Sequence, residues 1–544
     1  MSVDHHHLIP EAEQCMPYKI LHKHGQLIPN QMFAEFEDGN SWTYGEFLYQ
    51  VKKVAARLKS LGIPEQGRVV VWLPNGPEML VALFAINYIG AVFVPINTAL
   101  KGRTLASVLD LADSHAIIAH HELIERLRDI AVELPTTKVQ IGGSPDQNSG
   151  WLPQDAVFDK LWTSKDNPTQ SDDEPINITP AETDPWSVQS ILFTSGTTGV
   201  PKAVLQTYMQ QHIVALGGGF LTAEDRFLMT LPIYHQGGFT AVNRMFSRGG
   251  CLVFQGPFKT GLFWEVIRQS RATSVSLLGG MATFLLNEPV SAHDKKHTLR
   301  SVVIVPLENH LEFGQRFGVD VYSVYNMTEL GAPLESEANP PYTRTCGRCR
   351  PEFELRIVDE NDMPLPTGQV GELVVRSYVP WALTAEYYKS SQETAKVWRN
   401  GWFHTGDLFK RNEEGYYFFE GRLKEVIRRR GENISAIELE QEILDFPNIQ
   451  EVAVVAVPSE ISEDDILAVV VSQNNEAIDP GALIEFLQQR VPYYMVPRFI
   501  RQTQGLPKTP SFKIQKHKLQ EQGITPDTWD REKHGYRVRR ENLA

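Results

Sequence analysis

Short apolar runs rich in β-branched residues recur along the chain, separated by segments with helical periodicity. Runs that predict buried strands lie at residues 68–73 (RVVVWL), 91–96 (AVFVPI), 115–120 (HAIIAH), 187–195 (SVQSILFTS), 250–255 (GCLVFQ), 273–279 (TSVSLLG) and 300–305 (RSVVIV). The apolar stretch from Met79 predicts a buried helix that ends near Gly90, and ELIERLRDIAVEL at 122–134 predicts another helix. Alternating strands and helices are typical of α/β layers with a parallel sheet.

Two breaks in this pattern predict the domain organisation. Residues 142–186 are rich in Pro, Asp, Ser, Asn and Gln without a sustained period, which indicates a loop and connector. Beyond Gly421 the chain contains IELEQEILDF, EVAVVAVP, DILAVVVSQ and PGALIEFLQQRV, a βαββα-like series of the size of a small α+β domain. We therefore expect a large multilayered α/β domain over residues 1–421 and a small α+β domain over residues 422–544.

Composition and charge limit the classes to which the chain can belong. With 544 residues, 42% of them hydrophobic and 22% charged, it has the composition of a globular protein with more than one domain. A net charge of -14 argues against nucleic acid as a partner. Four cysteines and the lack of a secretory signal pattern predict a cytoplasmic protein. The longest apolar run is interrupted by Asn87, Gly90 and Pro95, which argues against an integral membrane segment.

A turn rich in glycine and threonine, TSGTTGVPK at residues 194–202, follows the predicted strand SILFT. Its glycines allow tight turns whose N–H groups can converge on anionic oxygens, its hydroxyl groups add donors, and Lys202 adds a mobile cation. The spacing lacks the G-K-[ST] ending of a Walker loop. Taken alone, this segment fits a polar hairpin turn better than a phosphate-binding loop.

Five further blocks follow this turn in order along the chain. They are TLPIYHQGGF at 230–239, VYNMTELGAP at 324–333, GWFHTGDLFK at 401–410, GRLKEVIRRRGENIS at 421–435 and PKTPSFKIQKHKL at 507–519. Together with the turn they resemble the signature of the adenylate-forming superfamily, which includes acyl-CoA synthetases, luciferases and the adenylation domains of peptide synthetases. The resemblance covers nearly the whole chain. IRRRGENIS is most similar to the CoA ligases grouped with carnitine and crotonobetaine ligases.

The resemblance implies a reaction in two steps. A carboxylate attacks the α-phosphorus of ATP and expels pyrophosphate, and the acyl-adenylate then transfers its acyl group to CoA with release of AMP. Because both partners of the first step are anionic, catalysis depends on positioning and on charge neutralisation by basic side chains and Mg²⁺. We therefore expect an acid–thiol ligase that uses a small carboxylic acid, ATP, Mg²⁺ and CoA, with a small domain that moves between the steps. The sequence leaves open whether the chain forms a homodimer.

The resemblance also implies which residues bind the nucleotide. The expected ATP and AMP contacts are Thr194, Ser195, Gly196, Thr197, Thr198, Gly199, Lys202, Tyr325, Asn326, Met327, Asp407 and Arg422. Thr328 would contact the α-phosphate and Glu329 would hold Mg²⁺. Tyr325 would stack on adenine, and Asp407 would accept hydrogen bonds from the ribose hydroxyls. Outside the family, a tyrosine at a strand end and a surface glutamate would be ordinary structural residues.

The remaining expected roles concern the acid, CoA and the domain movement. The predicted acyl-pocket residues are His235, Gln236 and Gly237, and the predicted CoA contacts are Arg429, Arg430, Gly431 and Glu432. The polar side chain of Gln236 argues against a long plain alkyl chain. A solvated basic loop is the alternative for the arginines. Lys424 would be the hinge between the domains, and Lys513 would bridge the acyl carboxylate and the α-phosphate as the activating cation.

The chain departs from the family pattern at three places. VIVPL at 303–307 stands where a glycine-rich segment lies beside adenine, so larger side chains would narrow or reshape that slot. Asn326 replaces a glycine, a mild change because asparagine tolerates left-handed backbone angles. Phe512 replaces the glycine before Lys513, where an aromatic ring would reshape the loop.

These departures keep two alternatives open. The chain could pass its acyl group to a carrier protein, water or oxygen instead of CoA, or it could be a nucleotide- or acyl-CoA-binding protein that has lost turnover. The basic residues of the RRRG segment favour free CoA, whose phosphates need cations. The joint presence of Lys202, Glu329, Asp407, Arg422 and Lys513 favours an active enzyme.

Overall fold

A computed structural model of the chain separates into two compact units. It describes residues 6–128, 130–143, 150–158, 176–194, 201–305, 307, 309–423, 426–429, 432–459, 464–473, 476–491, 495–508, 514–536 and 538. The first unit contains residues 1–355, 375–404 and 415–417, and the second contains residues 356–374, 405–414 and 418–544. The second unit thus includes two segments from before residue 421. The predicted boundary at that residue stays a prediction, and the predicted hinge residue Lys424 lies outside the described residues.

Two mostly parallel sheets form the centre of the first unit. The first has the strand order Thr137–Ile141, Ala116–His120, Arg68–Trp72, Val92–Pro95, Val188–Thr194 and Lys202–Thr207. The second has the order Asp320–Tyr322, Ser301–Val305, Ser274–Leu278, Arg226–Leu228, Cys251–Val253, Met32–Glu35 and Ser41–Thr43. In each sheet only the last pair is antiparallel. The α/β fold class and all seven predicted strands are therefore confirmed.

Helices cover these sheets and bury an apolar core. The α-helices of the first unit are Ala12–Cys15, Pro17–Leu27, Tyr44–Ser60, Pro77–Tyr88, Gly102–Ala112, His121–Ile124, Tyr208–Leu216, Gln236–Arg248, Phe263–Ser270, Gly279–Asn287, His310–Phe317 and Ser391–Val397. Short 3₁₀ helices lie at His6–Leu8, Glu125–Leu127, Gln154–Ala156 and Thr260–Leu262. In Pro77–Tyr88 every residue from Met79 onward is buried, which explains its unbroken apolar sequence. The helix ends before Gly90, whose positive φ of 72° suits glycine, and this prediction is confirmed.

One predicted helix is wrong. The segment 122–134 is helical only as far as Leu127, and it continues without regular structure through the described residues before Pro135. Ile130, Val132 and Leu134 nevertheless pack against a buried cluster of the first sheet. Their apolar spacing therefore reflects contact with that core and not a helical face. By contrast, the predicted connector 142–186 contains only the short 3₁₀ helix Gln154–Ala156 among its described residues.

Antiparallel strands complete the first unit and continue into the second. Val324–Met327, Gly331–Glu335 and Thr345–Cys349 pair in that order, and Trp398–Arg399 pairs with the start of Trp402–Arg411. The strands Phe353–Val358, Gly371–Ser377, Trp402–Arg411 and Tyr417–Arg422 each contain residues of both units. The segment from Val324 to Glu335 contains the predicted MTE block, and its two strands therefore determine the position of that block.

Among its described residues, the second unit contains a hairpin, a four-stranded sheet and three helices. The hairpin strands are Val426–Arg429 and Glu432–Ser435, and the sheet has the order Ile449–Pro458, Asp464–Ser472, Phe499–Gln502 and Trp529–Asp530. The helices are Ala436–Leu444, Pro480–Gln488 and Lys516–Gln522. Buried residues of the first two helices pack on this sheet, so the predicted α+β series is confirmed. Among the residues that the structure describes, no helix is both long and apolar enough to cross a membrane.

Candidate active site

Part of the predicted site lies outside the described residues. These positions are Ser195, Gly196, Thr197, Thr198, Gly199, Lys424, Arg430, Gly431 and Lys513, together with the unusual Phe512. The hairpin brings the backbones of Arg429 and Glu432 opposite each other as Cα partners. The roles assigned to all these residues stay predictions.

Thr194 and Lys202 flank the predicted phosphate loop and lie side by side. Thr194 ends one strand, Lys202 begins the next, and the two are Cα partners in an antiparallel ladder. Lys202 Nζ lies 2.8 Å from Glu393 Oε2 and 4.6 Å from the centre of the Tyr387 ring. The one described cation of the predicted loop therefore contacts both an acidic and an aromatic side chain.

Glu329 contacts the hydroxyl group of the same tyrosine. Its side chain is only 4% exposed, and its Oε1 accepts a 2.8 Å hydrogen bond from the Tyr387 hydroxyl. Burial and the neighbouring Glu329 carboxylate raise the pKa of Tyr387, so this hydroxyl keeps its proton and can donate. Tyr387 thus links a predicted phosphate-binding lysine to the predicted Mg²⁺-binding carboxylate.

Two buried glutamines hold the backbone of the MTE block. Gln206 Nε2 donates to the carbonyl oxygen of Thr328 at 2.8 Å, and Gln210 Nε2 donates to the carbonyl oxygens of Thr328 and Glu329 at 3.1 Å each. The block then turns at Gly331, which has a φ of 68°. A Cβ there would lie 2.3 Å from Val214 Cγ2, so glycine is needed for both the backbone angle and the close approach. The positions of Thr328 and Glu329 are therefore strongly constrained.

The strand Val324–Met327, which leads into Thr328 and Glu329, has an irregular register. Tyr325 is buried, with its hydroxyl 3.8 Å from Met327 Sδ, and the register shifts between these two residues. Asn326 lies at the shift, and its Nδ2 donates to Thr240 Oγ1 at 3.2 Å. Its Oδ1 is buried and has no hydrogen-bond partner among the described residues. An asparagine in place of the family glycine thus brings an amide group next to the helix Gln236–Arg248.

The predicted acyl-pocket residues begin this helix. His235 precedes its first residue, and burial lowers the pKa of the imidazole, so the ring is neutral near pH 7. Gln236 is buried, accepts a hydrogen bond from Gln206 and donates one to Thr240 Oγ1 at 3.3 Å. Because Gln206 also binds the Thr328 carbonyl oxygen, the predicted acyl-pocket residue and the predicted phosphate contact share one partner. Gly237 lies in the first helical turn, beside the Leu231 side chain.

The second unit brings together two other predicted nucleotide contacts. Arg422 Nε lies 3.3 Å from Asp407 Oδ1, and the carboxylate is nearly buried whereas the guanidinium is partly exposed. Asp407 follows Gly406, whose φ is 69°, and its N–H donates to Thr405 Oγ1 at 3.0 Å. The pair forms a charged acceptor and donor within one unit, as expected of groups that bind a ribose or a phosphate.

The segment 303–307, which departs from the family pattern, contributes one residue to the wall of a cavity. Val303 lines a cavity of about 230 Å³ in the first unit, together with Tyr322 and the oppositely charged Arg244 and Glu335. The Phe220 ring stacks on the Tyr322 ring at a centroid distance of 3.9 Å and forms another part of the wall. The predicted effect of these larger side chains on adenine stays a prediction.

Sequence reasoning missed five residues that contact the predicted site. They are Gln206, Gln210, Thr240, Tyr387 and Glu393. Only Gln206 had a local signal, since it interrupts the buried strand Lys202–Thr207 with a polar side chain. The others follow no motif and come to the site through tertiary contacts.

Comparisons with known proteins identify the family. Residues 23–388 match the family of AMP-binding enzymes, and residues 438–513 match the AMP-binding enzyme C-terminal domain. A crotonobetaine/carnitine–CoA ligase of Escherichia coli is 30% identical over 491 residues, which cover 87% of this chain and 92% of the relative. The Salmonella agona protein of the same name is 29% identical over 492 residues, with 88% and 93% covered.

Solved structures show the same fold at lower identity. ATP-bound MatB from Rhodopseudomonas palustris has a TM-score of 0.82 at 23% identity and covers 93% of this chain and 98% of its own. The anthranilate CoA ligase AuaEII, in complex with anthranoyl-AMP, has a TM-score of 0.81 at 21% identity, with 93% and 96% covered. The chain therefore belongs to the adenylate-forming family of AMP-binding enzymes, in its acyl-CoA ligase branch.

Proposed function

We propose that this ATP-dependent acyl-CoA ligase activates a small, polar carboxylic acid, with Lys202 on the phosphates of ATP and Glu329 on Mg²⁺. The acid would displace pyrophosphate from ATP to give an acyl-adenylate, and CoA would then displace AMP to give the thioester. The observation that carries this proposal is the arrangement around Tyr387, whose ring contacts the Lys202 ammonium and whose hydroxyl binds the Glu329 carboxylate.

The chemistry requires both charges. The carboxylate and ATP are anionic, so a cation near the leaving phosphates lowers the electrostatic cost of their approach. Lys202 ends the loop of the family signature and supplies that cation. Lys513 remains the proposed activating cation at the α-phosphate, a role that rests on the family resemblance alone.

Glu329 suits Mg²⁺ as one ligand among several. Mg²⁺ prefers oxygen ligands and in nucleotide sites takes most of them from phosphates and water. Among the described residues no group of three or more His, Cys, Asp and Glu forms a cage made of protein alone. A single carboxylate, oriented by the Tyr387 hydroxyl, fits an ion that arrives with ATP. When bound, Mg²⁺ would neutralise part of the phosphate charge.

The polarity of the predicted acyl pocket supports a polar acid. Gln236, Thr240 and Asn326 form a chain of hydrogen bonds, and the buried Asn326 Oδ1 has no partner within the part of the chain that the structure describes. A buried acceptor without a donor costs free energy, which a ligand with an N–H or O–H group would offset. Relatives named for crotonobetaine and carnitine point in the same direction, toward small acids with polar groups.

CoA as acceptor rests on the hairpin of the second unit. The backbones of Arg429 and Glu432 lie opposite each other across it, and Arg430 and Gly431 belong to the same predicted contact set.

All four cysteines lie within the described residues and none forms a disulfide, which supports a reducing compartment such as the cytoplasm.

The test is a screen for AMP release with ATP and Mg²⁺ over short, branched, aromatic, hydroxylated and betaine-type carboxylates, with and without CoA. We expect a small hydroxylated or amino-substituted acid to give acyl-CoA, AMP and pyrophosphate. Acyl-adenylate without thioester would instead indicate a carrier protein or another acceptor. ATP binding without pyrophosphate release from any acid would indicate lost turnover.

Two variants test the residue roles. Lys513→Ala should abolish acid-dependent pyrophosphate exchange, and unchanged exchange would contradict its proposed role. Lys202→Met should weaken ATP binding, measured by calorimetry on the unreacted protein. Since the two measurements are independent, either role can fail without the other.

A further inference from the structure

Lys202 already has a carboxylate partner in the structure. Glu393 lies in the short helix Ser391–Val397, and its Oε2 is 2.8 Å from Lys202 Nζ. A second cation, Lys396, contacts Oε1 of the same carboxylate from one turn further along the helix. The Glu393 carboxylate therefore lies between two ammonium groups, and only one of them belongs to the family signature.

The position of Glu393 is tied to Tyr387. Thr394, the next residue, accepts a 3.0 Å hydrogen bond from the Tyr387 N–H through its Oγ1, and the same hydroxyl donates to the Ser390 carbonyl oxygen at 3.0 Å. The Tyr387 ring in turn lies against the Lys202 ammonium. The backbone contact and the ring contact thus hold Glu393 and Lys202 within reach of each other.

We propose that Glu393 is a positioning residue that holds Lys202 as a counter-ion and competes with the phosphates of ATP for it. The proposal rests on the proposed function, in which Lys202 binds those phosphates. ATP binding would then exchange one anionic partner of Lys202 for another, and Glu393 would set how tightly the nucleotide binds.

Two physical effects of Glu393 both weaken the binding of ATP. Lys202 must leave Glu393 before it can contact a phosphate, and the Glu393 carboxylate repels the phosphates when they arrive. Hydrogen bonds from Lys202 and Lys396 lower the pKa of Glu393 to about 2, so its charge is present throughout the neutral range. When Lys202 leaves, Lys396 still pairs with Glu393, so the carboxylate keeps one partner and the exchange breaks only the Lys202–Glu393 ion pair.

The experiment measures the dissociation constant of ATP by calorimetry on the full chain, without acid or CoA. In Glu393→Gln the competing charge is lost while the shape is kept, and ATP should bind about two- to fivefold more tightly, the range expected for a partly exposed ion pair. Glu393→Ala is the second variant and should shift affinity in the same direction. Glu386→Gln is the matched control. It removes an exposed carboxylate from the same segment and leaves the Lys202–Glu393 ion pair intact.

A double-mutant cycle with Lys202→Met separates direct competition from general electrostatics. If Glu393 acts through Lys202, the gain from Glu393→Gln should largely disappear in the Lys202→Met background. An equal gain in both backgrounds, or unchanged or weaker ATP binding in both Glu393 variants, would overturn the proposal. If Lys202→Met alone leaves ATP binding unchanged, the assigned role of Lys202 fails and this inference fails with it. A failure confined to the Glu393 variants leaves the ligase function intact.

Discussion

The adjacent glycines Gly237 and Gly238 of the YHQGG block allow a test of the backbone packing at the predicted acyl pocket. Both lie in the first turn of the helix Gln236–Arg248. A Cβ on Gly238 would lie 2.2 Å from the Pro232 carbonyl oxygen and 2.7 Å from that of Leu231. A Cβ on Gly237 would lie 2.9 Å from Leu231 Cδ1, the end of a side chain that can rotate. Only Gly238 thus packs against backbone that cannot move independently.

The two alanine variants should therefore differ in stability. Alanine in place of glycine within a helix gains about 1 kcal/mol. Overpacking costs about 1–3 kcal/mol, and contacts with backbone lie at the upper end of that range. For Gly238→Ala we expect a net loss of about 2 kcal/mol in the free energy of unfolding. Gly237→Ala should gain up to about 1 kcal/mol, because rotation of the Leu231 side chain relieves its contact.

Urea unfolding followed by tryptophan fluorescence measures this difference, with the parent chain and Gly237→Ala as controls. A second readout is the KM for the acid. The His235 N–H donates to the Pro232 carbonyl oxygen at 3.1 Å, so displacing that carbonyl should move the start of the helix and raise KM in Gly238→Ala. Equal stability of the two variants, with unchanged KM, would refute the close packing on which this reasoning rests.

Two other predictions concern buried polar groups. Tyr387→Phe removes one donor to the buried Glu329 carboxylate and should lower the free energy of unfolding by about 1–3 kcal/mol. Tyr388→Phe, which loses only an exposed hydrogen bond, should change it by less than about 0.5 kcal/mol, and equal urea midpoints of the two variants would contradict this prediction. Burial opposes ionisation of Asp225, but hydrogen bonds from Arg300, Thr273 and Thr222 together outweigh it and hold the pKa of Asp225 below its usual value. Because this pKa is lower in the folded state, the stabilisation is present above the unfolded pKa of about 3.9 and is lost as the pH falls through the folded value. The urea midpoint of the parent should fall as the pH is lowered below about 4, and that of Asp225→Asn should fall less. Parallel pH profiles of the two proteins would show that the pKa of Asp225 is not lowered by folding.

Local patterns in the sequence were sufficient where burial is uniform or where a motif requires particular residue types. The helix Pro77–Tyr88 could be predicted because it is buried from Met79 onward, which leaves an unbroken apolar run. The roles of the phosphate-loop lysine and the MTE glutamate could be predicted because the family blocks occur in order along the chain, and these roles stay predictions. The helix predicted over segment 122–134 was wrong because apolar residues can pack against a core without being helical.

The connections between these blocks were decided by the tertiary structure. Lys202 and Glu329 are far apart in sequence, and the residue that links them, Tyr387, belongs to neither block. Gln206 likewise joins Gln236, a predicted acyl-pocket residue, to the Thr328 carbonyl oxygen. Side-chain pairing over such separations depends on how sheets and helices pack, which local periodicity does not encode. The sequence by itself therefore determined the fold class and the family and predicted the charged groups of the site, whereas packing alone decided that Tyr387 and Glu393 contact Lys202 and Glu329.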